Sequence, residues 1–153
     1  MPVAVQHVPD DEGLQRLVFF PAMYDDARNI IWHVLFQFPR DQGECECFVW
    51  SRYADSPDAV HHIGVEQELT KKERRSDARY VGYLPSIAGA IRGIMTVKGH
   101  GFTIAHKPAE GDYHVEIFFR PADDVNITKA EKNELKLALR NVFSALVPRA
   151  ANA

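Results

Sequence analysis

Residues 96–119, TVKGHGFTIAHKPAEGDYHVEIFF, alternate apolar and polar side chains around two short segments that contain glycine. Alternation with a period of two is typical of β-strands, and glycine between such runs is typical of tight turns. We therefore predict a three-stranded antiparallel meander over 93–120, with strands at 93–98, 101–107 and 112–120.

The register of this meander assigns its side chains to two faces. We predict that Val97 pairs with Phe102 and that Ala105 pairs with His114, because apolar residues then lie opposite apolar residues. The predicted core face carries Met95, Val97, Phe102, Ile104, Val115, Ile117 and Phe119. The opposite, polar face carries Thr96, Thr103, Ala105, His114, Glu116 and Phe118.

Three histidines of the meander are the first candidates for chemistry. In this register His100 lies at a hairpin tip, and His100, His106 and His114 point in different directions, so no metal site shared by the three is predicted. His114 and Glu116 lie one pleat apart, with Thr103 on the neighbouring strand. These three residues are candidates for proton transfer, because imidazole titrates near neutral pH. The alternative is an ordinary, half-exposed sheet face.

The sequence holds no further catalytic signature beside these residues. It has no glycine-rich phosphate loop, and no nucleophile accompanies the polar face. We therefore predict neither a cofactor nor a metal, the catalytic residues remain unknown, and the pattern favours a protein that is not an enzyme.

The last helix has the clearest local signals. Thr128 and Glu131 form a capping-box pattern, apolar residues follow at helical spacing, and Pro148 comes after them. We predict a helix over 129–147. Its basic residues recur along one side: Lys129, Lys132, Lys136 and Arg140. With Lys98 and His100 of the hairpin tip they are candidates for phosphate binding, the alternative being lysine stems that cover the rim of the core.

The middle of the chain predicts further strands and helices. Residues 29–38, NIIWHVLFQF, are rich in β-branched and aromatic residues, and with 44–51 they predict a hairpin over 29–51. Short helices are predicted between 57 and 92: one begins at the cap Ser56, and a second, over 83–93, at Ser86. The patterns of 14–28 and 65–79 do not distinguish a helix from other structures.

Together these elements predict an α+β fold, mainly an antiparallel sheet that is packed by the C-terminal helix. The length of 153 residues fits one domain, which we place at 14–148, with a flexible arm at 1–13 and a tail at 149–153. No apolar run approaches the roughly 20 residues that span a bilayer, and no signal-peptide pattern is visible. Cys45 and Cys47 provide no disulfide framework, so a cytoplasmic protein without membrane association is predicted.

Residues 91–104, IRGIMTVKGHGFTI, resemble the C-terminal hairpin, or wing, of the winged-helix DNA-binding domain of bacterial response regulators. That resemblance would imply a glycine hairpin beside nucleic acid. The chain departs from the family on both sides, because the segment before the hairpin contains two glycines and a further strand and a long helix follow it.

Two functional hypotheses follow. The first is a small, bacterial-type accessory or binding protein that acts through a protein partner or as a homodimer, using the aromatic residues of the 29–51 hairpin: Phe36, Phe38, Phe48 and Trp50. The second is a nucleic-acid-binding protein or nuclease that combines the basic residues of the last helix with His114 and Glu116. The net charge of −3 provides no general attraction for nucleic acid, which favours the first hypothesis.

Overall fold

The computed structural model describes residues 3–36, 44–122 and 127–150, with only the backbone for residues 44–47. Its elements are β1 (Gly13–Phe20), α1 (Trp32–Leu35), β2 (Glu44–Trp50), α2 (Pro57–Lys72), β3 (Arg79–Ile87), α3 (Ala88–Arg92), β4 (Gly101–His106), β5 (His114–Arg120), α4 (Lys129–Asn141) and β6 (Val147–Pro148). In this part of the chain the six strands form one antiparallel sheet in the order β4-β5-β2-β1-β3-β6. The predicted α+β fold is confirmed.

Helices cover the two faces of the sheet unequally. On one face α3 and α4 bury Ile91, Leu135 and Leu139 against β1, β2 and β5. On the other face α2 lies over β1 and β3 and buries Val60 and Ile63. The second face of β5 carries the polar residues His114 and Glu116, of which Glu116 is buried. None of the helices that the structure describes has both the length and the apolar character needed to cross a membrane.

The start of α2 follows the predicted signals. The Ser56 hydroxyl accepts a hydrogen bond from the backbone N–H of Ala59 at 3.2 Å, and Pro57 is the first helical residue. The helix continues through Gly64, and residues 65–72 are helical. Gly64 lies against the ring of Tyr80.

The capping box of α4 is confirmed, but the helix is shorter than predicted. The Thr128 hydroxyl accepts from the Glu131 N–H at 3.2 Å. The helix ends at Asn141, because Ser86 donates to the Val142 carbonyl and the chain then turns toward β3. The final segment pairs with β3 as the edge strand β6, a position at which proline is tolerated. Ser86 itself lies in β3 and does not cap a helix.

The predicted hairpin over 29–51 is wrong. Residues 32–35 form one helical turn, and β2 pairs with β1 and β5, two strands that are distant in sequence. Phe36, Phe48 and Trp50 are buried in the core, while Phe38 lies outside the described residues. These aromatic residues therefore give no support to a homodimer formed through an aromatic hairpin.

The meander is partly corrected. Residues 93–98 form no strand: Met95 makes a single bridge with Gly101, and Met95 and Val97 are 67% and 104% exposed instead of buried. The hairpin that resembled a winged-helix wing is therefore absent. The register of β4 and β5 differs from the prediction by two residues, so that Ala105 pairs with Glu116.

The shift has a local cause and leaves the faces unchanged. The connection between the strands contains a 3-10 helical turn, Pro108–Glu110, which makes it longer than the predicted turn. A shift by two residues preserves the alternation of a strand. Val115 and Ile117 therefore lie in the core and His114 on the other face, as predicted.

The two ends of the chain contact the domain within the described residues. Val8 is buried in the core, and the backbone N–H of Gln6 donates to His106 Nδ1 at 3.2 Å. In the predicted tail, Arg149 Nη1 lies 2.8 Å from Oε1 of the buried Glu68. Parts of the predicted arm and tail therefore pack against the sheet and α2.

Candidate functional site

A cleft opens where β1 and β2 separate. Within the described residues these strands pair only at Leu14 with Trp50 and at Gln15 with Val49. Beyond these pairs β1 continues along β3 and β2 continues along β5. Each of these two pairings contains a register shift. The resulting cleft has a volume of about 310 Å³, within the range of small-ligand pockets.

The described side chains that line the cleft are apolar, cationic or neutral. The apolar lining consists of Leu17, Phe19, Met23, Phe48 and Val49, and the polar lining of Arg16, Gln67, Lys71, Tyr113 and His114. None of these lining residues is acidic. Lys71 Nζ lies 4.6 Å from the centre of the Phe19 ring, which places its charge against an aromatic wall. The described lining of the cleft therefore combines cationic groups with an apolar surface.

His114 lies at one side of this cleft and is also the centre of a carboxylate cluster. Its Nε2 lies 2.9 Å from Glu116 Oε1 and 2.9 Å from Glu110 Oε2. The Glu116 side chain is 3% exposed and the Glu110 side chain 59%, so one carboxylate is buried and the other lies at the surface. An imidazole nitrogen between two carboxylates can exchange a proton with either of them. The three groups can also coordinate a cation together.

The sequence predicted two members of this cluster and missed the third. His114 and Glu116 project from the same face of β5, as the alternation indicated. Glu110 reaches His114 from the 3-10 turn, across a backbone reversal at Gly111, whose φ is +152°. A spacing of four residues predicts a side-chain contact when both residues lie in one helix. Because His114 lies in a predicted strand, the sequence provided no reason to expect a contact between Glu110 and His114. The structure does not bring Thr103 to the cluster, because Thr103 is exposed and pairs with Phe118.

His100 and Lys98 contact Glu131 near the start of α4, and His100 is buried instead of exposed at a hairpin tip. His100 is fully buried; its Nδ1 accepts from the Ala122 N–H at 2.9 Å, and its Nε2 lies 2.9 Å from Glu131 Oε2. Lys98 Nζ lies 3.2 Å from Glu131 Oε1. Desolvation raises the pKa of Glu131, but the hydrogen bonds from Thr128 and Lys98 outweigh it, and the pKa is lowered. These contacts join the chain before β4 to the start of α4.

Two of the four basic residues of α4 border a groove. The Arg140 guanidinium lies 4.7 Å from the centre of the Trp32 ring. Lys136 and Arg140, with Leu137, border a shallow groove of about 190 Å³ between α1 and α4. Its other wall consists of Trp32, His33 and Phe36. Lys129 and Lys132, nearer the start of the helix, do not line this groove.

Comparisons with models of protein families, with curated proteins and with solved structures find no match to this chain. They therefore add no functional information. The cleft between β1 and β2 is the strongest candidate, because it combines a volume of ligand size, apolar walls and charged groups.

Proposed function

We propose that this protein binds a small organic anion in the cleft between β1 and β2. The observation that carries the proposal is the chemistry of the cleft: apolar walls, two cationic side chains and no acidic residue among the lining residues that the structure describes. The apolar part of the ligand packs against Phe19 and Val49, and its carboxylate or phosphate lies near Arg16 and Lys71.

The physical basis is a small number of directed polar contacts within an apolar volume. Apolar walls exclude water and strengthen the attraction between the ligand's charge and the cations. Gln67 and Tyr113 also line the cleft and have groups that can donate hydrogen bonds to an anionic oxygen. Affinity then comes from the walls, and the preference for an anion comes from the charges.

This preference is tested with a matched pair of ligands. Naphthalene-2-carboxylate and naphthalene-2-carboxamide share one apolar body and differ in charge. By isothermal titration calorimetry we expect the carboxylate to bind about tenfold more tightly, because one charged hydrogen bond contributes about 1.5 kcal/mol. Lys71→Met should remove most of that difference. Lys72→Met, one residue further along α2 and outside the cleft, should leave it unchanged.

Equal affinities for the acid and the amide would contradict the anion preference. If Lys71→Met does not change the affinity for the carboxylate, the ligand binds at a site outside the cleft.

A second role, as a cytosolic accessory protein that acts through a protein partner, is favoured by the groove between α1 and α4. Leu137 is exposed at the groove, and Lys136 and Arg140 border its apolar wall. This arrangement is complementary to a partner that presents an apolar side chain between acidic residues. Nucleic acid, which the basic residues of α4 also suggest, is the competing occupant.

Photo-crosslinking distinguishes the two occupants. A benzophenone amino acid at Leu137 should give a discrete protein adduct in the native host, and the adduct should disappear with Lys136→Glu. The matched control is the same probe at Leu69, an exposed leucine on α2. Adducts of equal yield at both positions would contradict a specific partner. Nucleic acid would instead be indicated by binding to duplex DNA that depends on salt. The slope of the logarithm of the binding constant against that of the salt concentration should then fall by about 0.9 per lost contact when Lys132, Lys136 and Arg140 are changed to Gln.

A further inference from the structure

We infer that Glu110, His114 and Glu116 form a binding site for one divalent transition-metal ion. Each of the three side chains offers one ligand atom, and the three atoms lie within 4.8 Å of one another. Imidazole nitrogen and carboxylate oxygen are the ligands that ions such as Mn²⁺, Fe²⁺, Co²⁺ and Zn²⁺ accept. The inference goes beyond the sequence, which predicted no metal.

The two distances that involve His114 fit a coordination sphere. His114 Nε2 lies 2.9 Å from an oxygen of each carboxylate. Neighbouring ligands of an octahedral ion with bonds of about 2.1 Å lie about 3.0 Å apart, and those of a tetrahedral ion about 3.4 Å apart. An ion can therefore replace the proton on Nε2 after a small movement of the side chains.

The charges favour a cation at this point. An imidazole nitrogen carries at most one N–H, which points in one direction, yet Nε2 here faces two carboxylates. The two negative charges repel each other, and the burial of Glu116 makes water a poor screen between them. A divalent ion receives one lone pair from each of the three ligands. It therefore gives both carboxylates a partner and neutralises their mutual repulsion.

Other histidine–carboxylate pairs in the described residues lack this feature. His62 Nε2 lies 3.0 Å from Glu66 Oε1, and His100 Nε2 lies 2.9 Å from Glu131 Oε2. Each of these imidazoles contacts a single carboxylate, as an ordinary ion pair or hydrogen bond does. The convergence of two carboxylates on one nitrogen therefore distinguishes the His114 cluster.

The ligands also predict how the ion is held. Glu116 and His114 are fixed by β5, while Glu110 is exposed on the 3-10 turn and can close over the ion. Three protein ligands leave three positions of an octahedron for water or a small molecule. Because His114 also lines the cleft, the ion lies beside it, but the metal site does not depend on what the cleft binds.

The inference is tested with Mn²⁺ alone. The full chain is treated with EDTA, desalted and titrated with MnCl₂ while free Mn²⁺ is followed by electron paramagnetic resonance. We expect one bound ion per chain, and we expect pulsed spectra to show coupling to the imidazole nitrogen. Glu110→Gln should raise the Kd at least about tenfold, because it removes a charged ligand, and His114→Ala should remove the nitrogen coupling.

His62→Ala is the matched control, because it removes an exposed histidine that pairs with one carboxylate; it should leave Mn²⁺ binding unchanged. Circular dichroism in EDTA verifies that each variant is folded. If His114→Ala does not fold, Glu110→Gln decides the question, since its side chain is exposed. Absence of saturable binding of Mn²⁺, Co²⁺ and Zn²⁺ up to about 1 mM, or unchanged affinity in Glu110→Gln, would overturn the inference.

Discussion

Ile117→Asp is expected to leave the protein largely unfolded at 25 °C. Ile117 is fully buried in β5, within the core cluster that also contains Phe48, Val115 and Leu135. A carboxylate in that position would lie among the apolar side chains of this described cluster, and burial of an unpaired polar group costs several kcal/mol. This is a large fraction of the roughly 5–15 kcal/mol that stabilises a domain, and circular dichroism with urea unfolding measures it.

Thr103→Asp provides the control on the neighbouring strand. Thr103 lies on the opposite face of β4 and is exposed, so the same carboxylate should change the free energy of unfolding by no more than about 0.5 kcal/mol. If Thr103→Asp unfolds the protein and Ile117→Asp does not, the two faces of the sheet have been assigned in reverse.

Gly64→Ala is expected to destabilise the protein by about 1–3 kcal/mol, although alanine is the better helix former by about 1 kcal/mol. A Cβ at Gly64 would overlap the ring of Tyr80. That ring is buried, and its hydroxyl lies 2.7 Å from His61 Nδ1, so it cannot move aside without losing this contact.

Thermal unfolding compares the change in stability caused by Gly64→Ala with that caused by Thr70→Ala. Thr70 is exposed on the same helix, so its change to alanine tests helix propensity without a steric conflict. An increase in stability for Gly64→Ala would show that α2 does not pack on Tyr80 as described.

Local signals predicted the parts of the fold that depend on neighbouring residues. Ser56 with Pro57, and Thr128 with Glu131, indicated the starts of α2 and α4, because a cap is a contact between residues three or four apart. Alternation predicted the faces of β5 correctly, although the register with β4 was wrong by two residues. A repeat of two identifies a face but does not fix the offset between strands.

The remaining features depend on contacts between distant parts of the chain. β2 pairs with β1 and β5, and no local pattern specifies such pairing, so a hairpin over 29–51 was predicted instead. The cleft exists only because β1 and β2 separate after two pairs, which is a property of the assembled sheet. His114 and Glu116 were predictable from one strand, whereas Glu110 joins them through a turn that requires the conformation of Gly111.

Titration of the ¹⁵N-labelled protein with naphthalene-2-carboxylate, followed by ¹H–¹⁵N NMR, tests the central proposal that the cleft is the ligand site. We expect the largest changes in the backbone signals of Leu17, Lys71 and His114, three residues from three different elements that all line the cleft. The signals of Trp32, Lys136 and Arg140 at the groove should change little. Largest changes at the groove, or no saturable change at the cleft, would contradict the proposal.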